Sequence, residues 1–168
     1  SGTFFVLGSN LQARLAKTDA ARIAALYGDQ CVASHGWEHQ SHAKWERWQQ
    51  SVKDTRALLA STIDPKNELP LFRPPYGQRR PDSGAFFEAQ SLKVALWNLD
   101  SQDWNAHVSA EDIVNRMVAL ILIKRHGVLL FHDIHGKARI ALPTLFEELG
   151  GAVEWADCHQ LTGIPAAP

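Results

Sequence analysis

The sequence has little cysteine and almost no charge imbalance. Cys31 and Cys158 are its only two cysteines, too few for a disulfide framework and spaced unlike any metal knuckle, so they read as buried thiols rather than a bridge. Seventeen basic side chains against eighteen acidic ones leave a formal charge of −1. No electrostatic footprint for nucleic acid or an anionic surface results, and neither is expected as a partner. No apolar run, that of Val118 to Ile123 included, is long enough to span a bilayer, and no apolar segment behind a basic start opens the chain. What the chain does have is size and apolar content: 168 residues, 45% of them apolar, suit a single domain over residues 1–168 with its own core.

Strand and helix patterns alternate along the chain. Short β-rich runs are expected at 3–7, 30–33, 71–73, 93–100, 128–132 and 152–156. Between them, helical spacing predicts helices over 11–27 (capped by Ser9 or Asn10), 45–61, 83–90, 109–124 (capped by Ser109) and 142–149, with Pro143 in the first turn of the last. Such alternation argues for a parallel α/β architecture, either an open sheet or a closed barrel. His35, Arg73, Asp100 or Asp103, and His132 each fall at or just beyond the C-terminal end of a different predicted strand. A barrel would gather them around one axis, which favours that form.

Three histidines crowd VASHGWEHQSH, residues 32–42. An i,i+4 pair arises readily by chance. Placed after a strand end on a helical first turn, however, His35 and His39 would point the same way and share a cation at the roughly 2.1 Å of a Zn–N bond. His42 is expected to face solvent or cap the helix. In FRPPYG, residues 72–77, two prolines stiffen the backbone beside Arg73, which suits a structural ion pair as well as an orienter of a catalytic group, and the turn offers the Tyr76 N–H to a developing oxyanion. WNLDSQDW and LLFHDIHG bring carboxylates and His132 to strand ends, where a carboxylate fixes the tautomer of a proton-carrying imidazole. The six tryptophans, at positions 37, 45, 48, 97, 104 and 155, suit cores or carbohydrate grooves, and core packing is the reading for Trp45 and Trp48.

Taken in series, HGWEH, RPPYG, DSQDW and LLFH, with FFVLG ahead of them, resemble the polysaccharide deacetylases of the NodB-homology type, the fourth family of carbohydrate esterases. The resemblance implies a distorted (β/α)7 barrel, here missing its first strand. It implies a divalent metal, commonly zinc and sometimes cobalt or nickel, held by His35 and His39. It implies removal of N-acetyl groups from N-acetylglucosamine-containing polysaccharides or oligosaccharides, with the protein exported from the cytoplasm. Under it, Tyr76 gives its backbone N–H to the oxyanion, Asp103 tunes His132 as general acid, Arg73 orients the base, and Trp104 with Leu130 lines the place of the acetyl methyl. Gly36 stands where the family has Ser or Thr, which removes a side chain able to brace the loop. The family's Asp-Asp motif, which carries the base and the third metal ligand, has no counterpart here, and Glu38 and Asp29 sit at no matching position. Two expectations follow. Either an upstream segment of the same polypeptide supplies the motif, as the retained Arg73 argues, or the chain is a carbohydrate-binding remnant. Acetyl-xylan esters and cyclic amides are alternative substrates on the same fold.

Overall fold

The computed structural model describes residues 1–161. Six strands and six α-helices are formed: β1 (Thr3–Val6), α1 (Gly8–Leu15), α2 (Ala20–Tyr27), β2 (Cys31–Ser34), α3 (Trp48–Thr62), β3 (Glu68–Phe72), α4 (Gly84–Ala89), β4 (Lys93–Val94), β5 (Leu99–Asp100), α5 (Ala110–Lys124), β6 (Leu129–Leu130) and α6 (Gly136–Leu149). Every strand pair is parallel, as expected where helices make the crossovers. The ladders run in the orders β1-β2-β3-β4 and β5-β6, so backbone bonding among the described residues does not close a ring. The α/β class with parallel strands stands as expected.

The chain forms two compact units, Ser1–Leu96 joined by 156–161, and Trp97–Trp155. The first holds the four-stranded sheet. Its β2 is buried along its whole length, and Leu11, Ile23, Val32, Leu59 and Ile63 pack α1, α2 and α3 against it. Trp48, Val52, Phe72, Phe87 and Leu92 form a second cluster. Trp48 is therefore a core residue, while Trp45 is half-buried. In the second unit, Ile113, Val114, Met117 and Ile121 of α5 meet Ala141, Leu145 and Leu149 of α6 at helical spacing. Ser109 caps α5 as expected, its hydroxyl accepting the Asp112 N–H at 3.1 Å while the Asp112 carboxylate takes the Ser109 N–H at 2.9 Å.

Several expected elements differ. The 11–27 helix is two helices: Asp19 accepts the Arg22 N–H at 2.8 Å and starts α2 afresh. α1 begins at Gly8 rather than behind Ser9 or Asn10, because the Gly8 and Ser9 N–H groups donate to the Gly36 and Trp37 carbonyls at 2.9 and 3.0 Å. The 93–100 strand is interrupted, with ladder bonding only in β4 and β5. The last helix starts at Gly136 and carries Pro143 in its interior. No strand forms over 152–156, where a short 3₁₀ turn, Gly150–Ala152, leads into extended chain. The reading of two buried thiols is also overturned: Cys31 and Cys158 are joined as a disulfide, tying the start of β2 to a segment 127 residues away. Composition carries no signal for such a distant pairing.

Candidate active site

The first unit carries His35, His39, Arg73 and Tyr76. His35 follows β2 directly, and its Nδ1 donates to the Arg73 carbonyl at 2.6 Å. A carbonyl can only accept, so the proton sits on Nδ1 and Nε2 presents a lone pair. Burial pushes the His35 pKa down to about 4, which keeps the ring neutral and ligand-competent near neutral pH. His39 lies four residues on, but residues 35–40 form a loop and not the helical turn expected from the spacing. The loop nevertheless places the His35 and His39 ring centres 5.1 Å apart. Two imidazoles sharing a cation at about 2.1 Å place their ring centres about 5 Å apart, so this donor pair fits a divalent metal. Among the described residues no third histidine, cysteine or carboxylate joins them as a three-ligand cluster. The close trio Cys31, Cys158 and His159 has its sulfurs in the disulfide. Glu38 is exposed and accepts from the Gln40 amide at 2.9 Å.

Arg73 is buried at the end of β3. Its Nε donates to the Ala95 carbonyl at 3.2 Å and its guanidinium lies 3.9 Å from the Phe5 ring centre, a cation–π contact in a desolvated place. Burial lowers its pKa to about 10, leaving it charged at neutral pH. Beyond Pro74 and Pro75, Tyr76 sits in the left-handed region at φ 58°, a conformation that costs a non-glycine residue about 1–3 kcal/mol and clusters at functional sites. Its ring is 62% exposed and meets His39 edge-on, with centres 4.5 Å apart.

The second unit carries Asp103, Trp104, Leu130 and His132. Asp103 is 0% exposed. One of its oxygens accepts the His132 backbone N–H at 2.6 Å and the other pairs with His132 Nδ1 at 2.7 Å. Burial pushes the Asp103 carboxyl up, but the hydrogen bonds from the His132 ring and backbone outweigh it and hold the group below the usual carboxylate range. Asp103 is thus ionised, and it takes the Nδ1 side of the His132 ring. Asp100, the other candidate, serves the loop instead: it accepts from Trp97 Nε1 at 3.2 Å and from the Gln102 N–H at 2.8 Å. Trp104 is 54% exposed, and Leu130 is buried in β6.

His42, expected at the surface, is 0% exposed. Its ring is 5.1 Å from that of Phe72 and 6.4 Å from that of Trp48. Motif reading passed over Ser51, a buried hydroxyl on α3 that accepts the Trp37 N–H at 2.7 Å. A signal existed for it. Ser51, Thr55 and Thr62 are small polar residues on the buried face of α3, in register with Trp48, Val52 and Leu59.

Comparison with known proteins identifies the family and the fold. A family model described as polysaccharide deacetylase matches residues 1–97. A bifunctional xylanase/xylan deacetylase from Cellvibrio japonicus is 33% identical over 104 residues, 61% of this chain and 15% of that protein. A peptidoglycan-N-acetylglucosamine deacetylase from Bacillus cereus is 26% identical over 164 residues, 88% of this chain and 55% of that one. The chain therefore spans about half or less of the length of these curated relatives. Among solved structures, a family 4 carbohydrate esterase from Streptomyces lividans in complex with acetate has a TM-score of 0.69 at 26% identity, with 89% of this chain and 74% of that one covered. A family 4 pseudoenzyme from Bacillus anthracis, at 20% identity, has a TM-score of 0.70 with 88% and 50% covered, a likeness of fold.

Proposed function

This chain belongs to the polysaccharide deacetylase family, and from that premise we propose that it is catalytic-domain sequence of a metal-dependent enzyme that hydrolyses N-acetyl groups of an N-acetylglucosamine-containing polysaccharide and releases acetate. The observation that carries this reading is the treatment of two imidazoles. His35 has its Nδ1 tied to a neutral carbonyl, and His132 has its Nδ1 tied to a buried carboxylate. The first arrangement makes a ligand and the second a proton donor.

His35 and His39 hold the divalent metal, zinc first among the candidates and cobalt or nickel next. When bound, such a cation supplies Lewis acidity toward the amide carbonyl and acidifies a water. Tyr76 gives its backbone N–H to the oxyanion. His132 delivers a proton to the departing amine, and Asp103 holds that ring at Nδ1. Arg73 orients the base, and Trp104 with Leu130 flanks the acetyl methyl. The resemblance assigns the base to the Asp-Asp motif, so the full-length polypeptide is the protein to assay. The Cys31–Cys158 disulfide supports an extracytoplasmic location, because such bonds persist in oxidising compartments, and cell-wall glycan is the polymer found there. No helix among the described residues is long and apolar enough to cross a membrane.

The xylan deacetylase relative supports a second reading, an acetyl-ester substrate. Acetate release from N-acetylglucosamine oligomers and from acetylated xylan separates the two. Release from the amide oligomer, lost with a chelator and with His132→Ala, is the expected result. Persistence under either treatment, or oligosaccharide affinity with no acetate, overturns the proposal.

A further inference from the structure

The histidine loop has no side chain at position 36 to stiffen it. Gly36 lies at φ +84°, and a Cβ placed there would come within 2.9 Å of His42 Nε2 and 3.1 Å of Ser51 Oγ. The space beside the loop is therefore already taken by a ring from farther along the loop and a hydroxyl from α3. That hydroxyl is 3% exposed and accepts the Trp37 N–H at 2.7 Å. Its contact with His42 Nε2, at 3.5 Å, is long enough to count chiefly as packing. The first turn of α1 holds the Gly36 and Trp37 carbonyls, and the His35 N–H donates to the Val6 carbonyl at 2.9 Å. Ser51 is itself fixed, since Thr55 Oγ1 donates to its carbonyl at 2.8 Å. The backbone between His35 and His39 is thus held by both α1 and α3, and the α3 contact at the Trp37 N–H is one hydroxyl.

We infer that Ser51, backed by the buried His42 ring, is a positioning residue for the His35–His39 pair. It braces from a neighbouring helix, at Trp37, a loop that has no side chain at position 36 and whose Gly36 N–H donates to Ser34 Oγ at 3.3 Å. The inference rests on the reading of that pair as a metal site. Groups that orient ligands change metal affinity by about 10–100-fold when removed, because a loosened backbone spreads the two nitrogens over many arrangements that cannot share one ion.

The test uses full-length protein with zinc alone as the probe. Ser51→Ala is expected to weaken zinc binding about 10–100-fold by titration calorimetry and to speed hydrogen exchange at the Trp37 amide in the metal-free protein. Ser51→Thr, which keeps the hydroxyl, is expected to recover both. Gly36→Ala reaches the same weakening by another route, pushing a methyl into Ser51 and His42. Wild-type zinc affinity in Ser51→Ala or Gly36→Ala overturns the inference, as does a Ser51→Thr protein no better than Ser51→Ala. A wild-type protein that takes up no zinc sinks the metal reading instead. Trp37 exchange then decides the brace alone, with acceleration in Ser51→Ala supporting it and an unchanged rate overturning it.

Discussion

His35 in the first unit and His132 in the second follow the C-terminal ends of parallel strands, and both have Nδ1 engaged with an oxygen at 2.6 and 2.7 Å. The difference lies in the charge of that oxygen. The Arg73 carbonyl is neutral, so burial dominates and His35 stays unprotonated. Burial pushes the Asp103 carboxyl up, yet its hydrogen bonds from His132 hold it below the usual carboxylate range, so the oxygen that His132 meets is charged. One local geometry thus meets two different acceptors, and the proposed division between ligand and proton donor follows that difference. The supports differ too. Asp103 binds both the ring and the backbone of His132, whereas the His35–His39 loop is held by contacts from β1, α1 and α3.

Separating the two imidazoles gives the largest expected effects. His35→Ala should abolish both zinc uptake and acetate release, whereas His132→Ala should lower turnover by about 10²–10⁴ and leave zinc affinity unchanged by calorimetry. If His132→Ala also loses the metal, the division of labour is wrong. Asp103→Asn tests the acceptor directly. It keeps the shape and removes the charge, so turnover should fall in the same range while metal binding stays.

Stability sharpens the contrast between units. Reducing the Cys31–Cys158 bridge should cost about 2–4 kcal/mol, read as lost hydrogen-exchange protection concentrated in β1 and β2 rather than in α5 and α6. Acid should act through the buried neutral imidazoles of the first unit. His35 and His42 each have a pKa lowered by burial to about 4, so the unfolded chain binds more protons than the native one from about pH 6.5 downward. Stability should therefore be full above that pH and fall toward pH 4, and His42→Leu should flatten the fall in a series of thermal melts. Asp103 adds a separate loss only as pH drops through its lowered pKa, below the usual carboxylate range. The smallest change, Ser109→Ala, should destabilise α5 by about 1 kcal/mol, visible in the exchange of its first turn and absent from the first unit.

Much of this was legible from residue order. The alternation of elements, the Ser109 cap and the apolar stripes of α3 and α5 are local, set by neighbours within a turn or two, and they were placed closely. The Lys93–Asp100 strand was misjudged because periodicity shows which residues can be extended and not where a ladder partner is present. His42 was misread for a similar reason: its surroundings, Phe72 and Trp48, come from β3 and α3 and are invisible from its own flanks. Asp100 and Asp103, three residues apart at one strand end, are equivalent by strand position, and only the family resemblance singles out Asp103. The turn at Gln102, itself in the left-handed region at φ 58°, separates them and sends only Asp103 to His132.

Sequence by itself determined the α/β class and the family resemblance and named the groups proposed to do chemistry, because strand and helix periodicity and motif order are properties of short segments. Tertiary structure alone decided which oxygen each imidazole meets, that the two cysteines pair, and that Ser51 reaches Trp37 across 14 residues. Those outcomes depend on distances between segments remote in the chain, and a hydrogen bond or disulfide forms only when packing of the whole core brings its atoms within bonding range.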